Sequence, residues 1–249
     1  MMIILKSSEE IRAMRRAGQL VARAHELVAE HVKPGITTGE IDRLVEDFLL
    51  DENAKPAFKG YHGYPATICA SVNEVVVHGI PNDTPLEEGA ILGVDIGAFV
   101  DGFCGDAAWT YPVGSVDEAA ESLLAVGKEA LFRGIEQARI GNRLSDISHA
   151  VQQWVESSGF SVVREFVGHG IGRSMHEAPQ IPNFGVPGRG PRLKAGMTLA
   201  LEPMVNAGRA SVRVLSDNWT AVTVDQSLSA HFEHTIAVTE EGPVILTVL

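Results

Sequence analysis

Cysteine is scarce in this sequence. The 249 residues contain two, Cys69 and Cys104. They form no CxxC pair and no disulfide framework, which fits a reducing compartment. Long apolar runs are missing too. The opening MMIILKSSEE is too short for a signal peptide and has no small-residue cleavage site. No run approaches the ~18 apolar residues that a membrane span needs. A cytoplasmic location without a membrane partner is therefore expected. Basic charge is low: 20 Lys and Arg against 32 Asp and Glu give a net charge of −12. Phosphate backbones are repelled by such a chain, so no specific nucleic-acid partner is expected. HExxH, GxSxG and Walker A patterns are absent. Gly168-x-Gly170-x-Gly172 lacks both the full GxGxxG pattern and the later acidic residue of a dinucleotide fold. Its glycines read instead as letting backbone approach a site.

What remains is an ordinary globular composition, 45% apolar and 21% charged. The chain opens with a capping box, Ser7-x-x-Glu10, followed by Ile11, Met14, Leu20, Val21, Leu27 and Val28 at helical spacing. Pro34-Gly35 stops that helix. Thr37-x-x-Glu40 opens a second one, with Ile41, Leu44, Val45 and Phe48 on one face. Short β-branched segments follow near 66–70, 74–78, 91–99 and 103–111. The order then starts again. Ser115-x-x-Glu118 reads as a third capping box before a helix to about Ala138. Gly141 precedes a fourth helix with Ile147, Val151 and Trp154 on one face. Strands are expected near 162–168, 198–205, 212–215, 219–224, 231–238 and 244–248. Gly35, Ile41 and Phe48 recur as Gly141, Ile147 and Trp154, each 106 positions later. No linker separates the halves. The sequence therefore implies an α+β single domain over 1–249, built of two pseudo-repeats (about 1–113 and 114–249). A site on the pseudo-two-fold axis would draw residues from both.

Carboxylates stand where apolar residues belong. Asp101-Gly102 is a hairpin turn signal between two apolar runs. A two-residue loop there sets Asp95 opposite Ala108 and Asp106 opposite Gly97. Both acids then share one face as diagonal neighbours, roughly 7–8 Å apart. Carboxylates in an apolar hairpin need a compensating charge, which a divalent cation supplies. Glu202 in TLALEPMVNAG and Glu233 in LSAHFEHTIAV offer a similar pair, and Glu202 lies 107 positions beyond Asp95. Any one of these acids alone reads as a strand-end carboxylate; four in apolar strands, paired by a repeat, do not. Among nine histidines, His78, His169 and His176 stand next to glycines or strand ends, and neutral imidazole is a common metal ligand. His25, His31 and His149 sit in helices and read as structural. His62, His231 and His234 fit either reading.

The motifs YHGYPATICASVNEVVVHGIP, GVDIGAFVDGFCGD, VGHGIGRSMHE, LALEPMVN and SLSAHFEHTIAV occur in that order. With them the chain resembles the type I methionine aminopeptidases, essentially from end to end. The resemblance implies a pita-bread fold, an antiparallel sheet covered by helices on one face. It implies two divalent ions (Co, Mn, Fe or Zn) held by Asp95, Asp106, His169, Glu202 and Glu233. Asp95 resembles the chelating ligand of one ion. Asp106 and Glu233 resemble the bridging carboxylates, and His169 and Glu202 the ligands of the other ion. The activity implied is removal of the initiator methionine when the second residue is small, by metal-activated water. His176 would stabilise the oxyanion, His78 would contact the scissile amide, and Glu202 would shuttle a proton. Tyr61, Tyr64, Cys69, Met175 and Trp219 would form the methionine pocket. Relatives often carry Phe at the position of Met175, and His or Tyr at that of Cys104. The resemblance also implies a monovalent cation near Asn73, Val75 and Ser229. N-termini of nascent polypeptides, met at the ribosome, would be the partners of a monomeric enzyme. The absence of a zinc-finger extension points to the bacterial type, and the Met1-Met2 start predicts that the chain keeps its own first residue. An X-Pro peptidase of the same fold, or a metal-free binding relative, is the alternative.

Overall fold

Two capping boxes set where the chain begins to coil. In the computed structural model, which describes residues 2–249, the Ser7 hydroxyl accepts the Glu10 amide at 3.2 Å. The Glu10 carboxylate accepts the Ser7 amide at 2.9 Å. These bonds satisfy orphan donors at the start of helix α1, Ser8–His31. Thr37 and Glu40 do the same for α2, Thr38–Asp51. Between the two helices Gly35 takes φ +89°, a left-handed value suited to glycine. Strands β1 (Lys55–Pro56), β2 (Ile68–Val72), β3 (Val75–Val77), β4 (Ile91–Val100) and β5 (Phe103–Pro112) complete the first half.

The second half repeats the plan. Helices α3 (Glu118–Gln137) and α4 (Leu144–Ser157) lead into β6 (Ser161–Val162), β7 (Val167–Gly170), β8 (Glu177–Pro182), β9 (Thr198–Leu201) and β10 (Met204–Asn206). There follow β11 (Val212–Val214), β12 (Ala221–Thr223), β13 (Ser229–His231), β14 (His234–Thr239) and β15 (Gly242–Ile245). Helices α2 and α4 are both 14 residues long and start 106 positions apart. The isolated bridges Thr37↔Pro85 and Arg143↔Arg192 precede them in equivalent places. The expected cap at Ser115 is a correction. The α3 cap is Asp117, whose carboxylate accepts the Ala120 amide at 2.8 Å; a short carboxylate one residue before the helix fills that role. Short strands β1 and β8 were not visible in the sequence pattern.

Alternation divides each long strand between two faces. In β4, Val94 and Ile96 point toward α1 and α2, where they join Val21, Ile41, Val45 and Leu49 in one core. Leu199, Leu201, Phe232 and Ile236 point toward α3 and α4, with Leu131, Ile147 and Val151. Each such Leu or Ile contributes roughly 1.5–3 kcal/mol by leaving water. Both helical layers thus cover the same side, and the opposite face of the strands is left for the site.

Two strands expected to be continuous are interrupted. The segment 198–205 splits into β9 and β10 at Glu202-Pro203, and 231–238 splits into β13 and β14 at Phe232-Glu233. Pro203 has no amide to give to a ladder. On the partner segment, the Glu233 amide donates instead to Ala108 of β5 at 2.8 Å. That bond stitches the two halves together. Among the described residues no helix is long and apolar enough to cross a membrane.

Candidate metal centre

Register alone gathers the acids. In β4 and β5, Asp95 lies opposite Ala108 and Asp106 opposite Gly97, as the Asp101-Gly102 turn predicts. Cys69 of β2 lies opposite Asp95. The pairs His234↔Leu201 and Met204↔His231 belong to one register, which puts Glu233 opposite Glu202. With the Ala108–Glu233 bond, one row crosses the sheet: Cys69, Asp95, Ala108, Glu233, Glu202. The next row runs through Gly97, Asp106 and Thr235 to Ala200, which faces His169 of β7. Four carboxylates and one imidazole therefore stand in two adjacent rows of one face. Small residues, Gly97, Ala108 and Ala200, sit between them. A Cβ at Gly97 would meet Ala57 and Phe58 at 2.9 Å, so that position has no room for a side chain.

Three carboxylate oxygens of the candidate donor set are buried without hydrogen-bond partners. Asp106 is 3% exposed, Glu233 2% and His169 7%. One ligand atom from each of these three lies within 4.8 Å of those of the other two. Asp95 Oδ1, Asp106 Oδ1 and Glu233 Oε1 are buried and unpaired. Desolvation pushes the Asp95 carboxyl up to about 7, against a hydrogen bond with Asp106 that lowers it, and pushes those of Asp106, Glu202 and Glu233 well above the usual range, where repulsion from neighbouring carboxylates adds to it. Burial lowers His169 to about 4, so its ring is neutral. Its Nδ1 donates to the Gly170 carbonyl at 2.9 Å. That bond fixes the tautomer and turns the Nε2 lone pair toward Glu202, 3.5 Å away. Unpaired, mutually repelling oxygens beside a neutral imidazole fit divalent cations, which would satisfy and neutralise them together.

A cavity of about 220 Å³ opens above this cluster. It is lined by all five donors and by every other site residue expected from the sequence: Tyr61, Tyr64, Cys69, His78, Met175, His176 and Trp219. Phe58 also lines it and was missed; its adjacency to GYHGYP was the only signal. Tyr64 is pinned, its hydroxyl 3.0 and 2.9 Å from the carbonyls of Ile68 and Gly79, and its ring meets Trp219 edge-on. Burial raises the Cys69 thiol, which leaves it apolar rather than nucleophilic. His78 has φ +60°, an uncommon value for a non-glycine residue. The next residue must be glycine, because a Cβ at Gly79 would come 2.1 Å from the Ala70 carbonyl. His78 is thereby held with its ring against Phe166 and Trp219. His176 is hydrogen-bonded through Nδ1 to the Tyr61 hydroxyl at 2.8 Å, and its ring centroid is 4.3 Å from that of His169.

His25 and the expected monovalent-cation segments lie apart from the cavity lining. Both ring nitrogens of His25 are occupied, by Tyr111 and the Ala107 carbonyl, which matches its structural reading. The Ser229 amide donates to the Asn73 carbonyl at 2.9 Å, so those two segments do meet.

A buried, oxygen-rich donor set beneath a small apolar cavity defines a divalent-metal protein, on a fold whose two halves each supply ligands. Residues 12–240 match the model of Metallopeptidase family M24. Methionine aminopeptidase 1 of Bacillus subtilis (strain 168) is 55% identical over 246 residues, covering 99% of each chain. The methionine aminopeptidase of Clostridium perfringens is 53% identical over 248 residues, covering 100% of both. The crystal structure of methionine aminopeptidase from Thermotoga maritima superposes with a TM-score of 0.98 at 50% identity, covering both chains in full. The chain belongs to metallopeptidase family M24 and has its pita-bread fold. Prolidase from Pyrococcus furiosus, at 23% identity and a TM-score of 0.81, shares the fold alone; this chain covers 66% of it.

Proposed function

We propose that this chain is a methionine aminopeptidase that removes the initiator methionine of nascent polypeptides whose second residue is small. The observation that carries the reading is the union, in one cavity of about 220 Å³, of a metal-fit cluster and a narrow apolar wall. Such a volume is small for a drug-sized ligand and suits a single long apolar side chain. Tyr61, Tyr64, Cys69, Met175 and Trp219, with Phe58, form that wall. The names and full-length similarity of the Bacillus and Clostridium relatives support the same activity.

Asp95, Asp106, His169, Glu202 and Glu233 would hold two divalent ions, Co, Mn, Fe or Zn. Bound there, the ions supply Lewis acidity and lower the pKa of water toward neutrality. The rest belongs to the protein. The Glu202 carboxylate, which lines the cavity, would accept the attacking water's proton and pass it on. His176 accepts from Tyr61 at Nδ1 and so presents Nε2–H to the developing oxyanion. His78, fixed by its backbone, reaches the scissile amide and helps deliver the proton to the leaving amine. Residues 1–249 act as one catalytic domain, taken to be monomeric and cytoplasmic. It meets its substrates at the ribosome, and a monovalent cation near Asn73, Val75 and Ser229 steadies the join.

The test is hydrolysis of Met-Ala-Ser by metal-free protein reconstituted with each of the four metals, beside an Ala-Pro peptide. Release of methionine with at least one metal is expected. No release with any of them sinks the assignment, and preferential cleavage of Ala-Pro would replace it with a proline-peptidase reading.

A further inference from the structure

His231 lies outside the donor set, yet its Nε2 is a buried nitrogen with no hydrogen-bond partner. The residue is 5% exposed. A polar atom in that state is costly if nothing meets it. Its place in the register explains where a partner would come from. His231 faces Met204, one row from the row of Glu202 and Glu233, so its side chain is a diagonal neighbour of Glu202 on the same face. Thr110 fixes the strand there: its hydroxyl donates to the His231 carbonyl at 2.8 Å and accepts the His231 amide at 2.9 Å.

Glu202 stands between two imidazoles. Its Oε1 is 3.5 Å from His169 Nε2, and its Oε2 is 3.9 Å from His231 Nε2. The first pair are both donors to the same ion in the reading above, so Oε1 and the His169 lone pair are spoken for. Oε2 is the oxygen left over. We propose that His231 is a positioning residue: its Nε2–H donates to Glu202 Oε2 once the centre is filled, and holds that carboxylate in its ligating rotamer. The 3.9 Å gap is too long for a hydrogen bond, so the contact tightens on loading. Partners of this kind behind a ligand are worth 10–100-fold in metal affinity.

This inference rests on Glu202 being a metal ligand, and the experiment separates the two. Metal-free wild type, His231→Leu, His231→Gln and Glu202→Gln are titrated with Mn and with Co by calorimetry, after thermal melts show that each apo variant is folded. His231→Leu should bind metal 10–100-fold more weakly while its apo melting temperature is unchanged or higher, because an unpaired polar atom has been removed. His231→Gln, which keeps a donor, should stay within about threefold of wild type. Wild-type affinity in folded His231→Leu overturns the proposal. If Glu202→Gln also binds normally, the ligand assignment itself has failed; if only Glu202→Gln is weakened, the failure is confined to His231. Should His231→Leu not fold, the imidazole ¹⁵N signals of wild type decide. Metal loading should shift the His231 Nε2 resonance to that of a hydrogen-bonded donor, and signals that do not move overturn the proposal.

Discussion

Asp106 carries the tension of the site in one side chain. It is 3% exposed, one oxygen has no partner, and Asp95 and Glu233 repel its charge. Such a residue works against the apo fold and favours the metal-loaded one. Asp106→Asn should therefore abolish tight metal binding and hydrolysis, with kcat/KM down by at least 10³. The metal-free variant should melt at the same temperature as wild type or higher at pH 8. Calorimetry in the presence of a chelator checks the second half, and a clear drop in the apo melting temperature would contradict it. His176 makes the opposite case, a residue with little structural load. It is exposed and held chiefly by Tyr61. His176→Ala should cost roughly 10²–10³ in kcat, while KM and the melting temperature barely move. Tyr61→Phe should lose a smaller part of kcat through the same contact. Near-normal kcat in His176→Ala and in His78→Ala would remove both from the reaction.

Elements differ in how openly the sequence announces them. The β4–β5 hairpin was legible to the residue, because Asp101-Gly102 admits a two-residue turn and period-two alternation does the rest. Helices α2 and α4 were legible from caps, apolar spacing and the 106-residue offset. The breaks at Glu202-Pro203 and Phe232-Glu233 were not. Apolar residues flank them on both sides, and only the bond from Glu233 to Ala108 across the halves shows that one strand leaves its ladder there. The tether on the His176 loop was equally hidden, since it joins positions 171 residues apart. Lys6, at the end of the N-terminal segment, makes a buried ion pair with Glu177, next to His176. Lys6→Met would strand that carboxylate in a buried place and should cost about 3–5 kcal/mol. The double variant Lys6→Met/Glu177→Gln should recover a good part of it, because the two effects share one interaction. Urea denaturation of wild type, Lys6→Met, Glu177→Gln and the double variant measures the coupling, and simple additivity would show that the pair does not act as a unit.

Across the whole molecule, the same burial that builds the site sets how stability follows pH. The four donor carboxylates have folded-state values raised above their unfolded ones, Asp95 to about 7 and the others well above the usual range. Below about pH 4 both states are protonated and these groups contribute nothing. Above that, the unfolded chain gives up protons that the apo fold retains. The carboxylate contribution therefore falls as pH rises, until the folded groups also ionise. The buried histidines oppose this. His25, His78, His169 and His234 are lowered to about 4 and His231 to about 3, so they add stability as pH rises to 6.5 and a diminishing remainder over about one pH unit above it. Between pH 6.5 and 8 the imidazoles add only the small remainder of their effect, and the buried thiols begin to act in the same direction as the carboxylates only near pH 8. In that window the melting temperature of the metal-free protein should fall, by about 2–4 °C for each kcal/mol lost in a chain of this length. With divalent metal bound, the carboxylates are ionised and paired at both ends of the window, so the curve should be flat. Asp106→Asn should reduce the apo slope, since one of the coupled groups is gone. A metal-free melting curve that is flat from pH 6.5 to 8, or one that rises, would mean that the carboxylates are already ionised and paired without metal.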